Sequence, residues 1–195
     1  MINFPAFMSY VLVSTFTPGP NNIMSMSNAS RYGFKNSIMF NVGVFWGFFI
    51  IMFLCSIFSY TLYNLIPSIK SIMTIIGAIY ILWLARKTYR SKPMNENADE
   101  KDKHTNTLMT GFMLQFVNVK VILYGITAVS TFIIPFSNSP IILILFSILL
   151  AFIGFVSTCC WSLFGSAFKN LFIKNYKVIN FIMSLLLVYC AISLF

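Results

Sequence analysis

Two groups of residues sit where polar chemistry is costly unless it is used. The first is Thr17-Pro18-Gly19-Pro20-Asn21-Asn22, inside an apolar stretch from about residue 4 to residue 27. Proline lacks an N–H and clashes with the carbonyl four residues back. Pro18 therefore frees the carbonyl of Ser14, and Pro20 that of Phe16. Gly19 between them loosens the backbone further. The expected result is two half-helices, with Pro20 at the first position of the second. The N–H groups and positive dipole end of that half-helix suit a carboxylate, and the freed carbonyls suit an ammonium. The bland alternative is a kink satisfied by neighbouring helices. Pro-Gly-Pro followed by two amides favours a binding element, as in the broken helices of transporters.

The second group is Gln115-Phe116-Val117-Asn118-Val119-Lys120, inside the apolar stretch 107–134. Lys120 is the one Lys, Arg, Asp, Glu or His deep within such a stretch. A charge there costs at least ~2.5 kcal/mol on insertion scales, which makes it a functional candidate. The alternative is snorkelling to the cytoplasmic face. About 13 residues lie between Lys120 and the start of its stretch, roughly 20 Å of helix, too far for a side chain. Helical spacing puts Lys120, Tyr124, Thr127 and Thr131 on one face. That polar stripe suits a pathway, or simple interhelical hydrogen bonding. Gln115 and Asn118 fall on the opposite face of a straight helix, so one site using all three needs a break here too.

The elements that position these residues follow from composition. Of the 195 residues, 58% are hydrophobic and only 9% charged, and mean hydropathy is +0.85. A soluble domain carries far more charge. A spanning helix needs about 20 mostly apolar residues, and six stretches approach this: roughly 4–27, 38–62, 69–86, 107–134, 141–167 and 177–195. The fold class predicted is an all-α polytopic membrane protein with six transmembrane helices. The first stretch lacks a basic lead-in and a cleavage site, and is read as a retained helix.

Eleven of the 13 bases fall in three connections: near Ser27–Ser37, Arg86–Asn106 and Phe168–Tyr176 with the adjoining Lys177. The connections near Tyr63–Ser68 and Pro135–Pro140 carry none; Lys70 follows the former, and Lys120 is the remaining base. This alternation puts the basic loops in the cytoplasm and both termini outside. The net charge of +9 is thus that of a membrane protein's inner face and not of a nucleic-acid binder. All four acids, Glu96, Asp99, Glu100 and Asp102, lie in the polar segment 91–106, read as a cytoplasmic linker between a first three-helix half (1–90) and a second (107–195). Halves of three spans enter the membrane from opposite sides, the plan of an inverted repeat.

No carboxylate lies in the predicted spans, so a cationic cargo would lack an anionic partner and a small zwitterion fits better. No nucleophile–base pair, phosphate loop or metal cluster is visible, and neither an enzyme nor a cofactor is expected. Cys55, Cys159, Cys160 and Cys190 lack disulfide or zinc spacing and read as small buried hydrophobes. A thiol-relay redox protein, the competing class, would need two of them brought together. His104 reads as solvated, Trp46, Trp83 and Trp161 as facing lipid or packing, and Asn41 and Gly43 as close-packing positions.

Thr17–Asn22 early in the first of six spans, the basic loop after it, and Asn118-Val119-Lys120 in the fourth resemble the LysE/RhtB family of amino-acid exporters over the whole chain. That family commonly has Asn-Pro-Lys in the fourth span; Val119 replaces the proline here. Gln115–Gly125 and Leu185–Ala191 look closest to its cysteine/O-acetylserine exporter branch. The resemblance implies proton-driven efflux of small neutral amino acids across a bacterial inner membrane. Threonine or homoserine is the alternative cargo. The partners implied are that substrate and membrane lipid, with a homo-oligomer left open. The substrate-binding candidates are Thr17, Pro18, Gly19, Pro20, Asn21, Asn22, Gln115, Asn118, Lys120 and Tyr124.

Overall fold

A computed structural model describes residues 4–90, 105–137, 139–168 and 174–192, and these are helical apart from short turns. The helices are α1 (Phe4–Phe16), α2 (Pro20–Tyr32), α3 (Phe34–Arg90), α4 (Leu108–Val117), α5 (Val119–Thr127), α6 (Pro140–Ala167) and α7 (Tyr176–Ile192). A π-helical turn, Ala128–Ile133, continues α5. Among the described residues, Phe34–Ile57 and Pro140–Ala167 are each long and apolar enough to cross a bilayer, and Leu108–Val117 with Val119–Ile133 forms a third such stretch bent by 64°. The acids and His104 lie outside the described residues, as does most of the segment 91–106.

The structure revises two predicted connections. The first, Ser27–Ser37, shrinks to one residue: Gly33 caps α2 at φ 79°, its N–H 2.9 Å from the Ala29 carbonyl, and α3 starts at Phe34. Glycine enters that left-handed region without a Cβ penalty, which is why the helix can stop so abruptly. The second, Tyr63–Ser68, lies within the helical run of α3. Straight, these 57 residues would span about 85 Å. Yet Arg31, just before α3 begins, donates to the Thr88 carbonyl near its end at 3.3 Å, and Phe40 and Ala85 share one buried cluster. So α3 doubles back on itself, and its two arms lie side by side.

The second half of the first apolar stretch is unlike a lipid-facing span. Along α2 every residue from Asn22 to Ser30 is buried, polar ones included. Buried polar groups need partners: Ser25 donates to Asn41 Oδ1 (2.9 Å), Asn41 Nδ2 to Ser162 (2.9 Å), and Asn28 Nδ2 to the Thr105 carbonyl (3.0 Å). Arg31 also donates to Asn180 Oδ1 (3.2 Å), tying α2 to α7. This polar helix forms the axis around which α3, α6 and α7 pack.

Helix α4 lies against α3 with backbones in contact. A Cβ at Gly43 would overlap the Leu108 carbonyl, and one at Gly111 the Phe40 carbonyl. Small residues at crossings are how membrane helices approach closely, and the expectation for Asn41 and Gly43 as packing positions holds. Gly111→Ala should therefore destabilise the protein by about 1–3 kcal/mol, the usual range for overpacking. A lowered thermal midpoint in detergent checks this; an unchanged one would contradict the close approach.

Candidate functional site

The first helix breaks where Thr17-Pro18-Gly19 interrupts it. α1 ends at Phe16, and α2 begins at Pro20 with extended Gly19 as its N-cap and no side-chain cap. The Ile23 N–H is the first to close the helix, onto the Gly19 carbonyl (2.9 Å). The N–H groups of Asn21 and Asn22 precede that first intrahelical bond. On the other side of the break, one of the two freed carbonyls does not wait for a ligand as the sequence suggested: Trp161 Nε1 donates to that of Phe16 (3.3 Å). The single hydroxyl hydrogen of Thr17 goes to the Val13 carbonyl (2.6 Å), with that of Ser14 at 3.2 Å, and Ser14 lines the cavity between the breaks. Asn22 Nδ2 holds the carbonyls of Thr15 (2.8 Å) and Thr17 (2.9 Å), and Ser157 donates to Thr15 as well (2.9 Å). Asn22, with Ser157 and Trp161 of α6, thus closes the end of α1, because a carbonyl buried in protein must find a donor.

The second break forms without a proline. Asn118 leaves the helical region (φ −87°, ψ 91°) between α4 and α5. Asparagine competes with helix by offering its side chain to other groups, and here that side chain is engaged: Asn118 Nδ2 donates to Asn21 Oδ1 at 3.1 Å. Gln115 Nε2 also donates to Asn21 Oδ1 (3.1 Å), while Asn21 Nδ2 donates to Gln115 Oε1 (2.8 Å). The direction of this amide chain is fixed at one end, since Gln115 Nε2 donates to the Gly111 carbonyl (2.8 Å), which can only accept. Every bond then follows, and Asn118 is left with Oδ1 buried and unpartnered.

The bend at Asn118 turns Lys120 toward the first break. Its Nζ lies 3.2 Å from the Thr17 carbonyl and 3.3 Å from Thr17 Oγ1. The side chain thus points to the first break. A Cβ on Gly19 would stand 3.1 Å from Nζ, so the missing side chain is what lets the ammonium reach the α2 N-terminus. An ammonium and the positive end of a helix repel each other; an anion between them removes the conflict.

Both breaks face a cavity of about 380 Å³, open mouth included. Of the candidates, Gly19, Pro20, Asn21, Asn22, Asn118, Lys120 and Tyr124 line it. Thr17 and Gln115 stand behind it through the bonds above, and Pro18 is exposed and outside the lining. The predicted stripe stops at Tyr124, because Thr127 and Thr131 are exposed away from the cavity. Tyr124 stacks on Tyr10 (centroids 5.7 Å, 9°) with its hydroxyl buried and unpartnered.

Sequence reasoning missed the third wall: Phe48 of α3, and Gly154 and Thr158 of α6. The signal was present. Ser147, Ala151, Gly154, Thr158, Ser162 and Gly165 recur at helical spacing along one buried face of α6, the pattern of a close-packed membrane interface. Among the described residues no two cysteines form a disulfide, and the Cys190 side chain lies outside the description. Cys55 is buried and Cys159 partly so, but Cys160 is exposed, against the buried reading, and all three are free.

The chain matches the LysE type translocator family over residues 12–195. It belongs to that family. Proteins named cysteine/O-acetylserine efflux protein from Salmonella choleraesuis (strain SC-B67) and Salmonella typhimurium (strain LT2) are each 44% identical to it over 190 residues, 97% of this chain and 96% of theirs. The protein of that name from Escherichia coli (strain K12) is 40% identical over the same extent. No solved structure matches the chain. The likeness read from Gln115–Gly125 and Leu185–Ala191 is borne out, and this translocator keeps its second helix break although Val119 stands in place of the family's proline.

One consequence concerns the first break in this LysE type translocator. Pro20→Ala restores a donor at the first turn of α2 and removes one of the two proline clashes at the break, that with the Phe16 carbonyl. The expected outcome is normal membrane insertion with impaired transport, measured as efflux per unit of immunodetected protein. Parental efflux at parental protein level would show that the break does not depend on Pro20.

Proposed function

We propose that this translocator is a secondary transporter exporting cysteine and O-acetylserine from the cytoplasm across the bacterial inner membrane, driven by the proton gradient. The observation that carries the reading is the meeting of the two breaks, Asn21 with Gln115 and Asn118, and Lys120 with Thr17. One side of that junction is positive, with Lys120 and the α2 N-terminus placed for a carboxylate. The other offers a buried acceptor, Asn118 Oδ1, for an ammonium. A zwitterion needs both. Among the residues lining the cavity there is no carboxylate to hold a cationic side chain, which favours neutral cargo over lysine. The names of the relatives supply the two compounds.

The membrane plan proposed has six spans in two inverted halves, 1–90 and 107–195, with both termini outside and the segment 91–106 in the cytoplasm. The doubling back of α3 supports a second and third span within it. One break in each half, facing each other, fits a repeat interface. Surrounding lipid is the other partner, and assembly into a homo-oligomer is compatible with this plan. An impermeant thiol reagent added to intact cells should fail to label a cysteine introduced at position 99 and should label one in the Pro135–Pro140 turn; labelling at position 99 from outside would reverse the topology. The cargo is tested by expression in cells lacking their own exporters. Secretion of cysteine and O-acetylserine should rise and that of lysine should not, and a larger rise for lysine would defeat the assignment.

A further inference from the structure

The cavity has a far wall that the amino-acid head group does not use. On α5, Tyr124 lies one turn beyond Lys120, about 6 Å along the axis. Its hydroxyl is buried without a partner, and an unpaired buried hydroxyl is costly unless something fills the role. The Phe48 ring packs on the Tyr124 ring (centroids 5.7 Å) and closes that end. Opposite Phe48 stands Gly154, where a Cβ would sit 3.4 Å from the ring, an ordinary contact. Thr158, one turn further along α6, donates its hydroxyl hydrogen to the Phe155 carbonyl (2.9 Å), so its oxygen is left as an acceptor.

We infer that Phe48, Tyr124, Gly154 and Thr158 form a subsite for the cargo's side chain, with Gly154 setting its size limit and Tyr124 reading a polar atom. This rests on the proposed cargo and head-group site. A thiol meets both groups, its sulfur accepting from Tyr124 and its S–H donating to Thr158. An acetyl ester offers its carbonyl to Tyr124 and needs the volume that Gly154 leaves open. A hydrocarbon side chain of the same size leaves the Tyr124 hydroxyl unpaired and is disfavoured, since sites built around a hydrogen bond reject analogues lacking it.

The two cargoes differ in bulk, and that makes the size limit measurable. Gly154→Ala adds one methyl to the cavity at ordinary contact distance from Phe48, without a backbone overlap. One methylene in a pocket is worth about 10–200-fold in discrimination. The ratio of cysteine to O-acetylserine transport, measured in inverted vesicles and normalised to immunodetected protein, should rise at least about tenfold. Adding Phe48→Leu to Gly154→Ala returns space at the same wall and should bring the ratio back toward the parental value. Tyr124→Phe should raise competition by 2-aminobutyrate, which carries a methyl where cysteine has its thiol, relative to competition by cysteine. A parent that carries neither cargo overturns the cargo reading and this subsite with it. A parent that carries both, with a ratio within twofold in Gly154→Ala, overturns the subsite alone.

Discussion

Lys120→Met is expected to reach the membrane at the parental level and to export at less than about a tenth of the parental rate. The substitution keeps the length of the side chain and removes its charge. Lys120 is half-buried, and its ammonium rests on a carbonyl and a hydroxyl of the first break. A charge beside a helix N-terminus is repelled by the positive end of the helix dipole. Losing the ammonium relieves that repulsion, so the folded protein should lose little stability. A bound carboxylate, by contrast, loses a charge-assisted hydrogen bond worth roughly 1.5–3 kcal/mol, tenfold or more in affinity. Lys120→Arg should rescue poorly, since the planar fork is larger and is held differently. Efflux per unit of membrane-inserted protein is the measurement. Parental efflux from Lys120→Met at normal protein level would leave Lys120 with a structural role only.

Asn118→Ala should raise the half-saturating cargo concentration at least about tenfold. The amide chain starting at the Gly111 carbonyl leaves Asn118 Oδ1 as an acceptor with no protein partner. In the proposed site this oxygen receives the cargo's ammonium, a bond in which one partner is charged. Asn21 keeps its reciprocal pair with Gln115 in the variant, so α2 and α4 stay tied. Competition separates this role from a merely structural one. The parent should be inhibited by cysteine and hardly by 3-mercaptopropionate, which lacks the amine, and in Asn118→Ala that preference should shrink about tenfold. A variant that keeps the full preference would remove Asn118 from the ammonium's environment.

The break at Thr17–Gly19 was legible because proline acts locally: it removes a donor and blocks a carbonyl wherever it stands. The break at Asn118 was legible only as a condition, that Gln115 and Asn118 could not share a site with Lys120 on a straight helix. No proline marks it, and the partner of the Asn118 side chain there, Asn21, is 97 residues away in sequence. The carbonyls of Ser14 and Phe16 were read as waiting for an ammonium. The actual donor to Phe16, Trp161, could not be assigned, because the indole comes from α6, 145 residues on. The connection expected at Tyr63–Ser68 takes a helical form inside α3, which nevertheless doubles back on itself. Apolar stretches show where a chain meets lipid or core, but a polar gap between them does not decide between loop and continued helix. The α2 segment was taken as part of a span although it is polar and wholly enclosed; its partners on α3, α6 and α7 are contributed by distant parts of the chain.

Transport of labelled cysteine into inverted membrane vesicles bears most directly on the zwitterion site where the two breaks meet. Vesicles containing the protein should accumulate cysteine when a pH gradient is imposed, O-acetylserine should compete, lysine should not, and Lys120→Met vesicles should take up less than about a tenth as much. Accumulation of lysine at the rate of cysteine, or uptake by Lys120→Met equal to the parent's, would contradict the account.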